Sequence, residues 1–313
     1  MRRIDRLITH IRRVTENETA NSVTDITDNE IIEYINEGQS RLQSRIVAQH
    51  PNVFIEETTI SSVADQEEYT LPTYAMLGSK ILRIEYTDDT GNNPTYRRLS
   101  RGSYSDRASD IAGLPCKYIF QDKLTTNTSS ILLSPKPSNS NGTIRIQYVR
   151  KLDNLDKRRG IISAVTSDST QLTALTLDTS GNPPIDSEDL EDHDFFCIVD
   201  KLGTVKMRNV QFDSIDTGTG VVTLSQSHTF ESGETASVDD YVVGGKNSST
   251  HSQLPPSLER YVIQFSAWKI FKRDSSTDSQ EALQELLAME SEILESYQEI
   301  NEDVIHVPII EEW

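Results

Sequence analysis

Apolar residues recur at i, i+3, i+4 and i+7 through Ile4, Leu7, Ile8, Ile11 and Val14, so the chain opens on an amphipathic helix over 3–15. A polar stretch from Glu16 to Asp25 follows. The second helix is signed at its start: Thr27-Asp28-Asn29-Glu30 reads as a capping box, with Ile26 and Ile31 as the two ends of a hydrophobic staple. Its stripe is Ile31, Ile35, Gly38, Leu42 and Ile46, and it runs over 28–49 until His50-Pro51 stops it. From Val53 the period changes to two. Strands are expected at 53–60, 68–71, 81–86, 117–120, 130–133 and 143–149, the last alternating Ile144, Ile146 and Tyr148 against Thr143, Arg145 and Gln147. Turn residues join them, as in Thr90-Gly91-Asn92-Asn93-Pro94, Pro135-Lys136-Pro137 and Asn141-Gly142. Connections this short make antiparallel pairs, which predicts a sheet or small sandwich.

Asp156-Lys157-Arg158-Arg159-Gly160 marks a boundary, and a second β-rich region runs from Ile161 to Gly245. Its strands are expected at 161–165, 172–177, 195–199, 204–213, 220–224 and 241–243, with a hairpin turn at Thr217-Gly218-Thr219-Gly220, a pattern that suits a small barrel or sandwich. Gly244 to Thr250 reads as a flexible linker. The period then returns to 3.6. Helices are expected over 257–273, with Leu258, Tyr261, Val262, Phe265, Trp268 and Phe271 inward, and over 278–300, with Leu283, Leu286, Leu287, Met289, Ile293, Leu294 and Tyr297 inward. A capping box at Thr277-Asp278-Ser279-Gln280 opens the second. The last stretch, 304–313, is apolar, β-branched and broken by Pro308, so it should be extended.

The fold class is therefore α+β. N- and C-terminal helix pairs pack as a helical bundle beside an antiparallel β-sheet or sandwich, because neither pair covers its own apolar stripe. Residues 1–155 with 250–303 form the core, 160–246 an inserted all-β domain of barrel or sandwich type, and 304–313 a C-terminal tail.

Charge narrows the functional classes. The chain has 313 residues and a formal net charge of −19. General nucleic-acid binding is disfavoured, since phosphate affinity comes from Lys and Arg displacing counterions. The longest apolar run is Phe195-Phe196-Cys197-Ile198-Val199, far short of the roughly 20 residues of a membrane span. Charged residues interrupt 4–14, so no signal peptide is expected. Two cysteines, Cys116 and Cys197, exclude a disulfide framework and read as buried structural thiols in a reducing compartment. The charge is also segregated. Residues 1–13 carry five arginines against Asp5, whereas 274–313 carry three Asp and nine Glu with no Lys or Arg. Such a face repels DNA or meets a basic partner.

No active site is legible. The six histidines are scattered without zinc spacing, and no nucleophile elbow occurs. Gly244-Gly245-Lys246 lacks the rest of a phosphate loop. The acidic run 187–194 offers Asp189, Asp192 and Asp194 only as weak candidate cation ligands: it lacks the central glycine and terminal glutamate of an EF-hand and reads first as a solvated acidic loop. No cofactor and no catalytic residue is assigned. The tail is the more unusual feature. Val304, Ile305, Val307, Ile309, Ile310 and Trp313 are too apolar for a free end. Burying each gains about 1.5–3 kcal/mol, against about 1–2 kcal/mol per residue for ordering the backbone. One tail is near break-even; repeated around an oligomer it becomes a strong attachment.

The order of these elements resembles the head-to-tail adaptor (connector) proteins of tailed bacteriophages. The resemblance lies in Thr27 to Gln39, in Tyr69-Thr70-Leu71-Pro72, in Ile131 to Pro137 leading into Ile144 to Tyr148, and in Leu254 to Val262 with the helical hairpin after it. It covers roughly 20–153 and 250–300; the β insert departs from the simplest members. The resemblance implies a non-enzymatic virion protein at the neck, assembled in the host cytoplasm and not in a membrane. It implies a homo-oligomeric ring, usually of twelve copies, beneath the portal protein. That ring would join head to tail, contact tail hub, nozzle or fibre proteins, and let DNA pass during ejection. On that reading the tail residues dock on the portal or a neighbouring subunit, and Arg2, Arg6, Arg12, Arg13, Arg41 and Arg45 are candidates to face acidic portal surfaces. The alternative is a virion-associated carbohydrate- or cell-wall-binding protein acting through the insert, which would need aromatics gathered on one face of it.

Overall fold

A computed structural model describes residues 2–15, 26–76, 80–89, 91, 94–107, 111–123, 128–167, 171–180, 190, 194–229 and 235–302. Among the described residues the fold is mixed α+β, with four long helices and a largely antiparallel β-rich region. The chain divides into two compact units, one of residues 44–151 and one of residues 1–43 with 152–313.

The 44–151 unit is a β-sandwich. Its strands are β1 (Ile55–Ser61), β2 (Glu68–Thr70), β3 (Ile81–Thr87), β4 (Arg97–Arg98), β5 (Ser100–Arg101), β6 (Lys117–Lys123), β7 (Thr128–Ser134) and β8 (Thr143–Val149). One sheet has the order β1-β8-β3-β4 and the other β2-β7-β6-β5. Register follows the alternation in the sequence: Ile144, Ile146 and Tyr148 of β8 are buried and lie opposite Tyr86, Ile84 and Ile81 of β3. These pack with Tyr69, Leu71, Ile131 and Leu133 from the second sheet in one apolar cluster. Burial pushes the Tyr148 phenol well above its usual range, so it stays neutral. The two arginine-bearing edge strands β4 and β5 carry no alternation and were not expected. Cys116 is exposed rather than buried: Pro115 takes the inward position before β6, and the Cys116 thiol donates to the Ser134 carbonyl at 3.6 Å.

The other unit joins a barrel to the helices. The barrel strands are β9 (Gly160–Ser167), β10 (Gln171–Leu177), β11 (Phe195–Val199), β12 (Val205–Ile215), β13 (Val221–Leu224) and β14 (Tyr241–Gly244). The order β9-β14-β11-β12-β13-β10 closes through β9–β10 pairing into a six-stranded barrel. Ile162, Leu175, Phe196, Ile198, Met207 and Val242 fill it. β11 is apolar at every position because both faces are covered: Phe196 and Ile198 point into the barrel, while Cys197 and Val199 join Tyr241 and Val243 in a second cluster. The Gly244–Thr250 stretch is not a loose linker. Ser248 and Ser249 pair in parallel with Asn154 and Leu155, and Ser248, Ser249 and Thr250 are all buried. Small hydroxyl residues fit there because their polar atoms find partners: Ser248 and Ser249 donate to the Lys246 and Gly203 carbonyls, and the Thr250 hydroxyl bonds the His251 ring.

The expected turn at 217–220 joins β12 to β13. Thr219 and the Gly218 N–H hydrogen-bond the Asp216 carboxylate and hold its pKa below the ordinary range. A lowered carboxylate pKa stabilises the fold above the unfolded value and loses that contribution as pH falls through the folded one. We expect Asp216→Asn to flatten the acid limb of barrel unfolding as pH falls below about 4; melting curves through that limb would show it.

The helices are α1 (Ile4–Val14), α2 (Asp28–Gln49), α3 (Pro256–Arg273) and α4 (Ser279–Glu302). Thr27 accepts the Glu30 N–H at 3.2 Å as its cap. The Glu30 carboxylate, expected to reach back to Thr27, accepts instead from Tyr34 and from Arg273 of α3. The box at Thr277 does not form, since the Ser276 hydroxyl takes the Asp278 N–H and α4 begins at Ser279. The inward line of α4 is Ala282, Leu286 and Ile293, which leaves Leu287 half exposed; in α3, Ile270 takes the fully buried place expected for Phe271. Gly38 of α2 meets Phe265 of α3 so closely that a Cβ there would lie 2.9 Å from the ring.

Candidate functional site

The candidate functional surfaces are charged faces and one groove. At the chain's start, Ile4 donates its N–H to the Thr250 carbonyl and Ser252 donates to the Arg2 carbonyl, which holds the N-terminal arginines against the 250–252 segment. Arg2 pairs with buried Glu259 at 3.3 Å. Arg12 is buried and donates to Asp28 at 2.6 Å and to the Ile26 carbonyl at 3.0 Å, tying α1 to the start of α2. Arg41 is half-buried, pairs with Glu290 at 3.2 Å and lies over the Phe265 ring. Arg6, Arg13 and Arg45 are exposed. The sequence could not tell these groups apart, because Asp28, Glu259 and Glu290 come from distant elements.

Between α1, α3 and α4 lies a groove of about 770 Å³. Val14, Leu258, Ile263, Met289 and Ile293 line it, together with Arg2, His10, Arg260 and Glu292. Four α4 carboxylates, Glu281, Glu285, Glu292 and Glu295, are exposed, and none makes an ion pair among the described residues. Opposite in sign is a cleft of about 390 Å³ in the 44–151 unit. Leu82, Ile84, Leu99 and Tyr118 form its floor, and Arg83, Arg98 and Arg101 its rim. Arg83 is engaged by buried Glu85 together with Arg145, which stacks on Tyr96 at 3.9 Å. Arg101 lies over Phe120, whereas Arg98 is exposed with no carboxylate partner among the described residues.

A polar network that the sequence did not reveal joins the barrel to the helices within its unit. Buried Asp153 accepts Arg208 at 2.9 and 3.1 Å and Gln253 at 2.7 Å, and its carbonyl accepts Gln39. Asn36 makes a two-way bond with the Leu155 backbone. Asp156 holds Arg159 and the Gly244 N–H. The readable signal was two amides, Asn36 and Gln39, beside the apolar stripe of α2.

Of the cation candidates, Asp189 and Asp192 lie outside the described residues and Asp194 is exposed. Among the described residues, no three His, Cys, Asp or Glu side chains gather as a metal site. The tail residues Val304, Ile305, Val307, Ile309, Ile310 and Trp313 also lie outside the described residues. In the barrel region Phe196, Phe212 and Tyr241 are buried, and Phe195 sits under the Lys246 ammonium at 3.9 Å. These four do not make the exposed aromatic face that sugar binding would need; Phe230 lies outside the described residues.

A model of the SU10 adaptor protein family matches residues 3–179. The chain belongs to the SU10 adaptor protein family. As a phage adaptor it is a structural protein of the virion. The SU10 adaptor match takes in α1, α2, the whole sandwich and the first barrel hairpin, β9–β10. It therefore reaches into the region that the sequence set apart as an insert, while α3 and α4 lie beyond it. No curated protein matches the chain. No helix of the described residues is long and apolar enough to cross a membrane.

Proposed function

We propose that this SU10 adaptor forms a ring, of twelve copies on the family pattern, beneath the portal, and joins the DNA-filled head to the tail. The family match over α1, α2 and the sandwich carries this reading. The charge supports it. A channel that passes duplex DNA without retaining it is best lined by carboxylates, and the chain carries 49 Asp and Glu against 30 Lys and Arg. In this reading residues 1–155 with 250–303 are the adaptor core, and 160–246 meets tail hub, nozzle or fibre proteins. Exposed Arg6, Arg13 and Arg45 face acidic portal surfaces; Arg2, Arg12 and Arg41 pair with Glu259, Asp28 and Glu290. Assembly takes place in the host cytoplasm.

The apolar tail, 304–313, docks on the portal or a neighbouring subunit, adding a strand to an exposed edge. The test is the mass of the full chain alone and mixed with portal, beside a chain ending at residue 303. We expect the shortened chain to melt as the full one does and to lose attachment to portal rings. Normal attachment of the shortened chain would reject the docking role.

A further inference from the structure

The chain carries its charge in two unequal parts. Residues 44–151 hold 13 Lys and Arg against 11 Asp and Glu, while the rest of the chain holds 17 against 38. A net-positive unit in so acidic a protein is unexpected, and its arginines are concentrated. Arg97, Arg98 and Arg101 fall within five residues on the edge strands β4 and β5. Arg83, Arg98 and Arg101 surround an apolar floor of Leu82, Ile84, Leu99 and Tyr118. Lysines and arginines on an edge discourage strand pairing, but that role does not require an apolar floor beneath them. The floor and rim together describe a seat for something acidic with a small apolar centre.

The same chain supplies such a partner. Glu281, Glu285, Ala288, Glu292 and Glu295 follow i, i+4, i+7, i+11 and i+14 along α4, so they form one stripe, and all five are exposed. Seven helical residues put Glu285 and Glu292 about 10 Å apart. Ala288 between the two carboxylates lets the helix approach the floor closely.

We propose that the arginine-rimmed cleft receives the acidic stripe of α4 from a second copy of this chain. The contact is heterologous, cleft to helix, and contacts of this kind generate rings when the rotation closes. It rests on the ring reading above and names the surfaces that ring would use. Single exposed ion pairs contribute little, so the interface depends on several acting together and weakens with salt.

The test is charge exchange in the full chain, read by sedimentation velocity and native mass spectrometry at 50 and 500 mM salt. Melting curves confirm the fold of each variant. We expect R98E/R101E and E285K/E292K each to weaken association at least tenfold at 50 mM salt. The four changes together should recover most of it. R98S/R101S, which removes charge without adding any, should fall between wild type and R98E/R101E and serves if a reversal misfolds. Wild-type assembly by R98E/R101E, or no recovery in the fourfold variant, overturns the assignment while leaving the ring reading intact. A wild-type chain that stays monomeric with portal present overturns both. Loss of duplex-DNA binding in R98E/R101E with assembly unchanged would show a phosphate seat instead, and also overturns it.

Discussion

Replacing Asp153 with alanine is expected to destabilise its unit by about 3–5 kcal/mol, a fall on the order of 10 °C in the melting temperature for a unit of this size. The Asp153 carboxylate is fully buried, and it accepts both arms of Arg208 and the Gln253 amide. Its loss strands a guanidinium whose side chain is only 20% exposed. The cost comes mainly from that abandoned charge, because an unpaired buried ion loses its partner without regaining water. The double variant Asp153→Ala/Arg208→Met should therefore be more stable than Asp153→Ala alone, by about 1–2 kcal/mol. Thermal and urea unfolding of the four proteins in the cycle would measure this. A single variant within 0.5 kcal/mol of wild type would show that water reaches Arg208 and that the network does not bind barrel to helices.

That network also marks where the sequence stopped being legible. Elements with a clean period were readable to within a few residues: β8 from Ile144, Ile146 and Tyr148, β11 from five successive apolar residues, and α2 from its stripe and its Thr27 cap. Their chemistry is local, so the sequence carries it. The barrel's closure was not fixed in the same way, since a barrel and a sandwich share strand lengths and turns and differ only in whether β9 meets β10 as well as β14. The misreadings share one cause. Gly244 to Thr250 has the composition of a linker, yet it is buried because its small residues fit against Asn154 and Leu155. Arg12 belongs to a face that appears polar in sequence and is folded under by Asp28. In each case the partner that makes burial affordable is remote in sequence.

The second large effect belongs to the contact between α2 and α3. Phe265 is fully buried, stacks near Tyr261 with ring centroids 6.3 Å apart, and meets Trp268 edge-on at 5.6 Å. Phe265→Ala should cost about 3–5 kcal/mol, the usual range for deleting a buried ring that its surroundings cannot replace. Gly38 makes the prediction more discriminating. A methyl at residue 38 would press on the Phe265 ring at 2.9 Å, so Gly38→Ala should destabilise the wild type by about 1–3 kcal/mol of overpacking, less about 1 kcal/mol of gained helix propensity. In a Phe265→Ala background the two nearest ring atoms, Cδ1 and Cγ, are gone and only Cβ remains, at 3.3 Å. The same Gly38→Ala change should then be neutral or stabilising by up to about 1 kcal/mol, since only the propensity gain remains. The sign reversal is the measurement that matters, because a general loss of stability at residue 38 would not depend on residue 265. If Gly38→Ala costs the same in both backgrounds, α2 and α3 do not meet at this point, and the glycine in the α2 stripe needs another explanation.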